Sequence, residues 1–239
     1  MPDTDPKKDR LLLNATRIKG LADSLNDIAA LPDPTGKLLL ESTTKDGLHI
    51  QKKTVPLGVV GVIYESRPNV TIDVSALCIR SGNVCVLRGG SDALHTNIVL
   101  VSIIHSVLRD SGLDPAIVQL LPTDRKFITE MLTAVKYIDI IIPRGSQQLI
   151  EFVRQNSLVP TIETGAGVCH TYVEQTADLD KAAAIVVNAK VSRPSVCNAL
   201  DTIVVDRAVV KQLLTLAAPG LLAYDVSITI VQCHRRWRW

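Results

Sequence analysis

"LGVVGVIYE", residues 57–65, is a nearly continuous apolar run of strand length. A strand with one wet face alternates apolar and polar residues. A run apolar on both faces belongs in a parallel sheet covered by helices above and below. From this run onward strand and helix patterns alternate: helix "TIDVSALCIRSG", strand "NVCVLRGG", helix "SDALHTNIVLVSIIHSVLRDSG", strand "AIVQLL", helix "DRKFITEMLTAV", strand "YIDIIIPRG", helix "SQQLIEFVRQN" and strand "VPTIETGAG". The succession predicts an α/β fold built on a mostly parallel sheet with helices on both faces. Aromatic residues are only 3% of the chain, so the core is to be built from Val, Ile, Leu and Ala, which suits such a sheet.

Upstream, residues 7–31 carry apolar residues at helical spacing and are stopped by "PDPTG". "KLLLEST" and "GLHIQKKTV" are joined by "TKDG", a hairpin signal. After Gly167 the pattern resets to a short strand "CHTYVE", a helix "DLDKAAAIVVNAKV", a loop with Cys197, a strand "DTIVVD" and a helix at 207–217. The expected organisation is therefore a first domain over 1–165, a second α/β domain over 166–225 and an atypical tail over 226–239.

Composition excludes several classes of function. The 26 basic and 24 acidic residues nearly balance, and three of the arginines crowd into the closing "RRWRW". No basic stripe with interleaved aromatics runs through the body, so nucleic acid is not an expected partner. The five cysteines are scattered with no C-x-x-C pair, which argues against a metal site or a disulfide framework. The start "MPDTDPKKDR" has no apolar signal region, and no apolar run is read as reaching membrane-span length. A reducing cytoplasm is the default expectation.

Several stretches could carry chemistry. In "VLRGGSDALHTN" a strand runs into Gly89 and Gly90 before a helix, where backbone N–H groups approach a phosphate and Arg88 adds charge; a plain tight turn explains the same letters. In "YESRPNV", Arg67, Pro68 and Asn69 stand at the carboxyl edge of the sheet, where open α/β sheets bind ligands, although Asn69 also suits a helix N-cap. "IPRGSQQLI" repeats the strand–turn–helix arrangement at Gly145 and Ser146, with Ser146 equally suited to capping. "IETGAG" sets Glu163 beside glycines at a strand end, where a solvated charge is the simpler reading. Cys197, in "SRPSVCNAL", follows a proline-bearing turn; a cysteine is usually a small buried hydrophobe, yet a polar loop is where a reactive thiol is displayed. His170, the nearest histidine in sequence, is read as a packing residue.

Together "PLGVVGVIYESRPNVT", "SGNVCVLRGGSDALHTN", "IDIIIPRGS", "PTIETGAGVCHTYV" and "NAKVSRPSVCNALDTIVV" closely resemble the gamma-glutamyl phosphate reductase family of the aldehyde dehydrogenase superfamily, from about residue 8 to about residue 225. The resemblance implies an aldehyde-dehydrogenase-like fold with a Rossmann-type cofactor sheet and a partial catalytic domain. It implies NADPH-dependent reduction of L-glutamate 5-phosphate to the semialdehyde, with release of phosphate, in proline biosynthesis. By the same carry-over Cys197 is the nucleophile that forms a thioester, and Asn69 with the Cys197 N–H makes the oxyanion hole. Arg88, Gly89, Gly90, Gly145, Ser146, Glu163, Thr164 and Gly165 bind NADP. Glu163 matches the glutamate that activates water in hydrolytic members, an activity a reductase should suppress, so its role stays open. Arg67, Arg193 and Asn198 are assigned to the anionic substrate, with helix-end capping the alternative for the arginines. No metal is implied; glutamate 5-kinase and further copies of the chain are the implied partners.

The chain departs from the family pattern in lacking a match to its C-terminal Glu-Phe-Gly stretch and in ending "VQCHRRWRW". The reading is a chain shortened at both ends. This leaves two expectations, a working reductase or an inactive fragment that only binds, and a third in which Glu163 supports a hydrolytic dehydrogenase.

Overall fold

Asn14 starts the first long helix. Its side-chain oxygen accepts the Arg17 N–H at 2.9 Å, and α1 runs Ala15–Ala30. The computed structural model describes residues 10–163, 165, 167–194 and 196–231. Thr164, Cys233 and the "RRWRW" tail, all weighed above, lie outside the described residues. The chain divides into two compact units, Met1–Gly165 and Ala166–Trp239.

In the first unit β1 (Leu38–Thr43) and β2 (His49–Lys53) form the expected antiparallel hairpin, turning at Gly47 with φ +86°. The α/β layers follow: β3 (Val59–Tyr64), α2 (Pro68–Arg80), β4 (Val84–Arg88), a 3₁₀ turn (Ser91–Ala93) continuing into α3 (Leu94–Asp110), β5 (Val118–Leu120), α4 (Arg125–Thr133), β6 (Ile140–Arg144) and α5 (Gln147–Asn156). The strands make one parallel sheet in the order β5-β4-β3-β6. Among the described residues the segment "VPTIETGAG", expected as a further strand, forms one isolated bridge, Thr161 to Ile141. It is held by Ile141 N–H to the Pro160 carbonyl and Ile162 N–H to the Ile141 carbonyl, and Pro160 has no N–H to extend the ladder.

The apolar run that predicted double burial delivers it. Val60, Val62 and Tyr64 face α2 and α3 together with Cys85, Leu87, Val101 and Leu108, while Ile63 faces the other way among Met131, Leu132, Ile141 and Val153. Period two along β3 thus feeds two cores at once. Inside the first core runs a polar chain: Tyr64 Oη lies 2.7 Å from Thr71 Oγ1, which donates to Asn97 Oδ1 at 2.9 Å, all three buried.

Ser91–Asp110 is long and apolar enough to cross a membrane by length and composition, which corrects the expectation that no run reaches that length. The 3₁₀ turn and α3 join into one apolar helix, and within it Asn97, Val101 and Leu108 are buried in the sheet's core.

The second unit has β7 (Cys169–Val173), α6 (Leu179–Val191), β8 (Leu200–Val205) and α7 (Val210–Leu222). β7 and β8 are parallel, with α6 as their crossover, and a separate core of Val173, Val186, Leu200, Leu213 and Leu221. Helix α7 continues past the expected residue 217 and carries Pro219 within it.

Candidate functional site

At the carboxyl edge of the first unit's sheet, β3 ends at Tyr64 between the ends of β4 and β6. Ile63 pairs with Arg88, and Tyr64 with Arg144. Strand ends that meet in register bring the expected residues at 67–69, 88–90 and 145–146 to one edge.

Ser66 leaves β3 with φ +46° and its hydroxyl donates to the Asp92 carboxylate. Arg67 takes the N-cap position of α2 without a side-chain cap, and Pro68 opens the helix. Asn69 is therefore not the cap that its letters allowed. It sits inside the first turn, exposed, with Nδ2 donating to Asp73 Oδ2 at 3.2 Å.

Arg88 is only 9% exposed. One terminal nitrogen donates to the Thr123 carbonyl, and its Nε is buried without a partner. Burial pulls its pKa below the usual arginine value, against the opposing pull of Glu65. A buried guanidinium with an orphaned donor suits an anionic group. The adjacent glycines are demanded by the protein itself. A Cβ on Gly89 would lie 2.2 Å from Asn97 Nδ2, and one on Gly90 would lie 2.5 Å from Asp92 Oδ1.

At the second turn, Ser146 does cap α5, accepting the Leu149 N–H at 3.3 Å. Its own N–H donates to Glu65 Oε2 at 2.9 Å. A Cβ on Gly145 would meet that carboxylate at 2.7 Å. Glu65 was not singled out by sequence; the signal was a carboxylate directly after a doubly buried strand, visible only once β6 is known to lie beside β3.

Glu163 is not a solvated charge. Its side chain is 26% exposed, Oε1 lies 3.8 Å from Arg154 Nε, and Oε2 is buried with no partner. Arg154 also grips Glu151, at 2.6 and 2.7 Å, which raises the arginine's pKa and lowers that of Glu151. Gly165 is exposed, with open space around it.

In the second unit Cys197 lies exposed in a turn between α6 and β8, and Asn198 beside it is exposed. Arg193 is exposed just after α6. Cys78 and Cys85, by contrast, are buried in the first unit's core, where contact with Cys85 and burial push the Cys78 thiol upward. His170, expected to pack, is exposed; its Nδ1 lies 2.8 Å from the Val168 carbonyl. Its place in a strand did not bury it because that face of β7 is open. Cys169 was missed as a neighbour of Cys197: its thiol donates to the Cys197 carbonyl at 3.6 Å. A cavity of about 510 Å³ along β8 and α7 in this unit is not lined by Cys197. Among the described residues no cluster of three His, Cys, Asp or Glu could hold a metal.

The model of the aldehyde dehydrogenase family matches residues 12–222. The chain belongs to the aldehyde dehydrogenase family. This aldehyde dehydrogenase chain is 53% identical over 219 residues to a gamma-glutamyl phosphate reductase of Pelodictyon phaeoclathratiforme, covering 92% of the chain and 52% of that relative. A gamma-glutamyl phosphate reductase of Bacteroides fragilis is 52% identical over 205 residues, 86% of the chain and 49% of the relative. The crystal structure of gamma-glutamyl phosphate reductase from Thermotoga maritima superposes with a TM-score of 0.82 at 41% identity, over 91% of this chain and 53% of that one. The fold is aldehyde-dehydrogenase-like, and the chain spans about half the length of the curated relatives it matches.

Proposed function

We propose that this chain carries the cofactor edge and nucleophile of a cytoplasmic gamma-glutamyl phosphate reductase. The reaction is the NADPH-dependent reduction of L-glutamate 5-phosphate to L-glutamate 5-semialdehyde with release of phosphate. The observation that carries this reading is identity above 50% along 92% of the chain to relatives bearing that name.

Cys197 attacks the acyl carbon as thiolate; the carbon–oxygen bond to phosphate breaks, phosphate leaves, and a thioester joins the substrate to Sγ. Asn69 Nδ2 and the Cys197 N–H are assigned as donors to the oxyanion that develops on the carbonyl oxygen. Arg67, Arg193 and Asn198 are assigned to the substrate's phosphate and carboxylate. The first unit is assigned to NADP, through Arg88, Gly89, Gly90, Gly145, Ser146, Glu163, Thr164 and Gly165. The orphaned, buried Nε of Arg88 fits an anionic group of the dinucleotide. When bound, that cofactor would supply the hydride. Glu163, whose Oε1 lies 3.8 Å from Arg154 Nε, is assigned to the site with its catalytic role left open. Glutamate 5-kinase is the partner this chemistry needs, because an acyl phosphate must be handed over before it hydrolyses, and further copies of the chain are the other.

A second reading is favoured by coverage: the relatives carry about as much chain again outside the matched half. On it the chain binds without turnover.

The test is the reaction in reverse. Glutamate semialdehyde and NADP are supplied with and without phosphate, and NADPH is followed by absorbance, with Cys197→Ala as control. Phosphate-dependent formation lost in the variant supports the reductase. Formation without phosphate indicates a hydrolytic dehydrogenase, and silence from folded protein supports binding alone.

A further inference from the structure

The thiol of one described cysteine meets the backbone of another. The Cys169 thiol opens β7 and points at the backbone of the Cys197 turn, 3.6 Å from the Cys197 carbonyl oxygen. Cys169 pairs in register with Leu200, the first residue of β8, so the turn is anchored directly beside it. Gly167 brings the approaching chain closer still: a Cβ there would stand 2.8 Å from the same carbonyl oxygen. The Cys197 side chain is exposed. Cys169 itself is half-buried, whereas Cys78 and Cys85 are enclosed in the other unit's core.

We infer that Cys169 is a resolving thiol for Cys197, and that a peroxide converts the two into an intramolecular disulfide that is reversible by dithiols. The Cys197 thiolate attacks one peroxide oxygen; the O–O bond breaks, hydroxide leaves, and Cys197 becomes a sulfenic acid. The Cys169 sulfur then attacks the Cys197 sulfur, the S–S bond forms, the S–O bond breaks, and the Cys169 proton leaves with that oxygen as water. Two thiols lose two electrons in all, and the peroxide is reduced to two waters. A sulfenic acid without a neighbouring thiol oxidises further to sulfinic acid, which is not reversed by thiols. Cys169 thus turns a terminal lesion at Cys197 into a recoverable one. A disulfide needs Cα atoms within roughly 7 Å, and the Cys169 sulfur already borders the Cys197 peptide.

The inference rests on Cys197 being the displayed thiol of the proposed function, but its test needs neither substrate nor cofactor. Reduced full-length chain is treated with one equivalent of hydrogen peroxide, then read by intact mass, thiol titration and tryptic mapping. Lys181 and Lys190 lie between the two cysteines, so trypsin separates them. The expected result is a mass lower by two hydrogens, two thiols lost, a linked peptide pair containing Cys169 and Cys197, and full recovery with dithiothreitol. In Cys169→Ser the mass should rise by oxygen at Cys197, and dimedone should trap it. Oxygen added at wild-type Cys197 with Cys169 still free overturns the inference, and so does a link between any other pair. Iodoacetamide labelling of the reduced chain separates the two failures. If Cys197 alkylates before Cys78 and Cys85 yet never links, only the resolving role falls. If it does not react, its role as nucleophile falls as well.

Discussion

The carboxylate of Glu65, at the end of β3, accepts the backbone N–H of Ser146, at the start of α5, at 2.9 Å across 81 positions of sequence. One side chain thereby ties two strand ends together and places negative charge where the helix dipole is positive. Glu65→Ala should cost about 0.5–2 kcal/mol, the range of a lost helix cap. Glu65→Gln, which keeps an acceptor oxygen, should cost clearly less. Urea denaturation of the full chain measures both, and equal losses would show that Glu65 acts by bulk alone.

Thr71 is both acceptor and donor in the buried chain from Tyr64 to Asn97. Thr71→Val keeps its shape and removes both hydrogen bonds, so the expected loss is about 1–3 kcal/mol. A shift in urea midpoint with unchanged slope is the readout.

Tyr64 has its pKa pushed up to about 12, first by burial, with its bond to Thr71 opposing. The phenol is neutral when protonated, so a raised folded-state value favours the fold while the proton stays on. That contribution is whole below pH ~10, where the unfolded phenol titrates, and is lost as pH rises toward ~12. Stability should fall by roughly 2–3 kcal/mol across the window. Tyr64→Phe should remove that part of the decline when denaturation midpoints are compared at successive pH values.

Gly167→Ala would set a methyl group 2.8 Å from the Cys197 carbonyl oxygen, a backbone atom that cannot swing aside. The turn must shift, at about 1–3 kcal/mol. The expected signature is an altered iodoacetamide alkylation rate at Cys197, with the melting of the first unit unaffected.

If Asn69 donates to the oxyanion, Asn69→Ala should lower kcat of the reverse reaction by ~10²–10³. Its present partner is Asp73, at 3.2 Å. Asp73→Asn distinguishes positioning from chemistry: it should leave kcat within a few-fold while Asn69→Ala does not.

The doubly wound layer was legible because residues 57–65 admit no wet face, and because the strands at 84–88 and 140–144 run into glycine and serine before a helix. The hairpin at Gly47 was legible from its turn alone. Asn69 and Ser146 were ambiguous between capping and chemistry, since a helix start asks for the same residue types either way; the structure caps with Ser146 and not with Asn69. The segment after Pro160 read as a strand because its apolar letters do not record which strand has a free edge to receive it. Glu65 and Cys169 were missed for a shared reason: each matters through a partner far away in sequence, and one-dimensional spacing carries no such adjacency.

Helices α2 and α3 meet the sheet mainly through Val, Ile and Leu, side chains similar enough in volume that a helix displaced by one turn would still find grease to lie on. Thr71 and Asn97 break that degeneracy. Displaced, each would strand its neighbours in a medium without water, and so would Tyr64. The three residues thus act as a dowel through stacked boards, fixing alignment as well as adding strength. They determine which backbone atoms arrive together at the strand ends, and so any edit to them should also be heard as a loss of definition there, as broadened resonances beside the lowered stability.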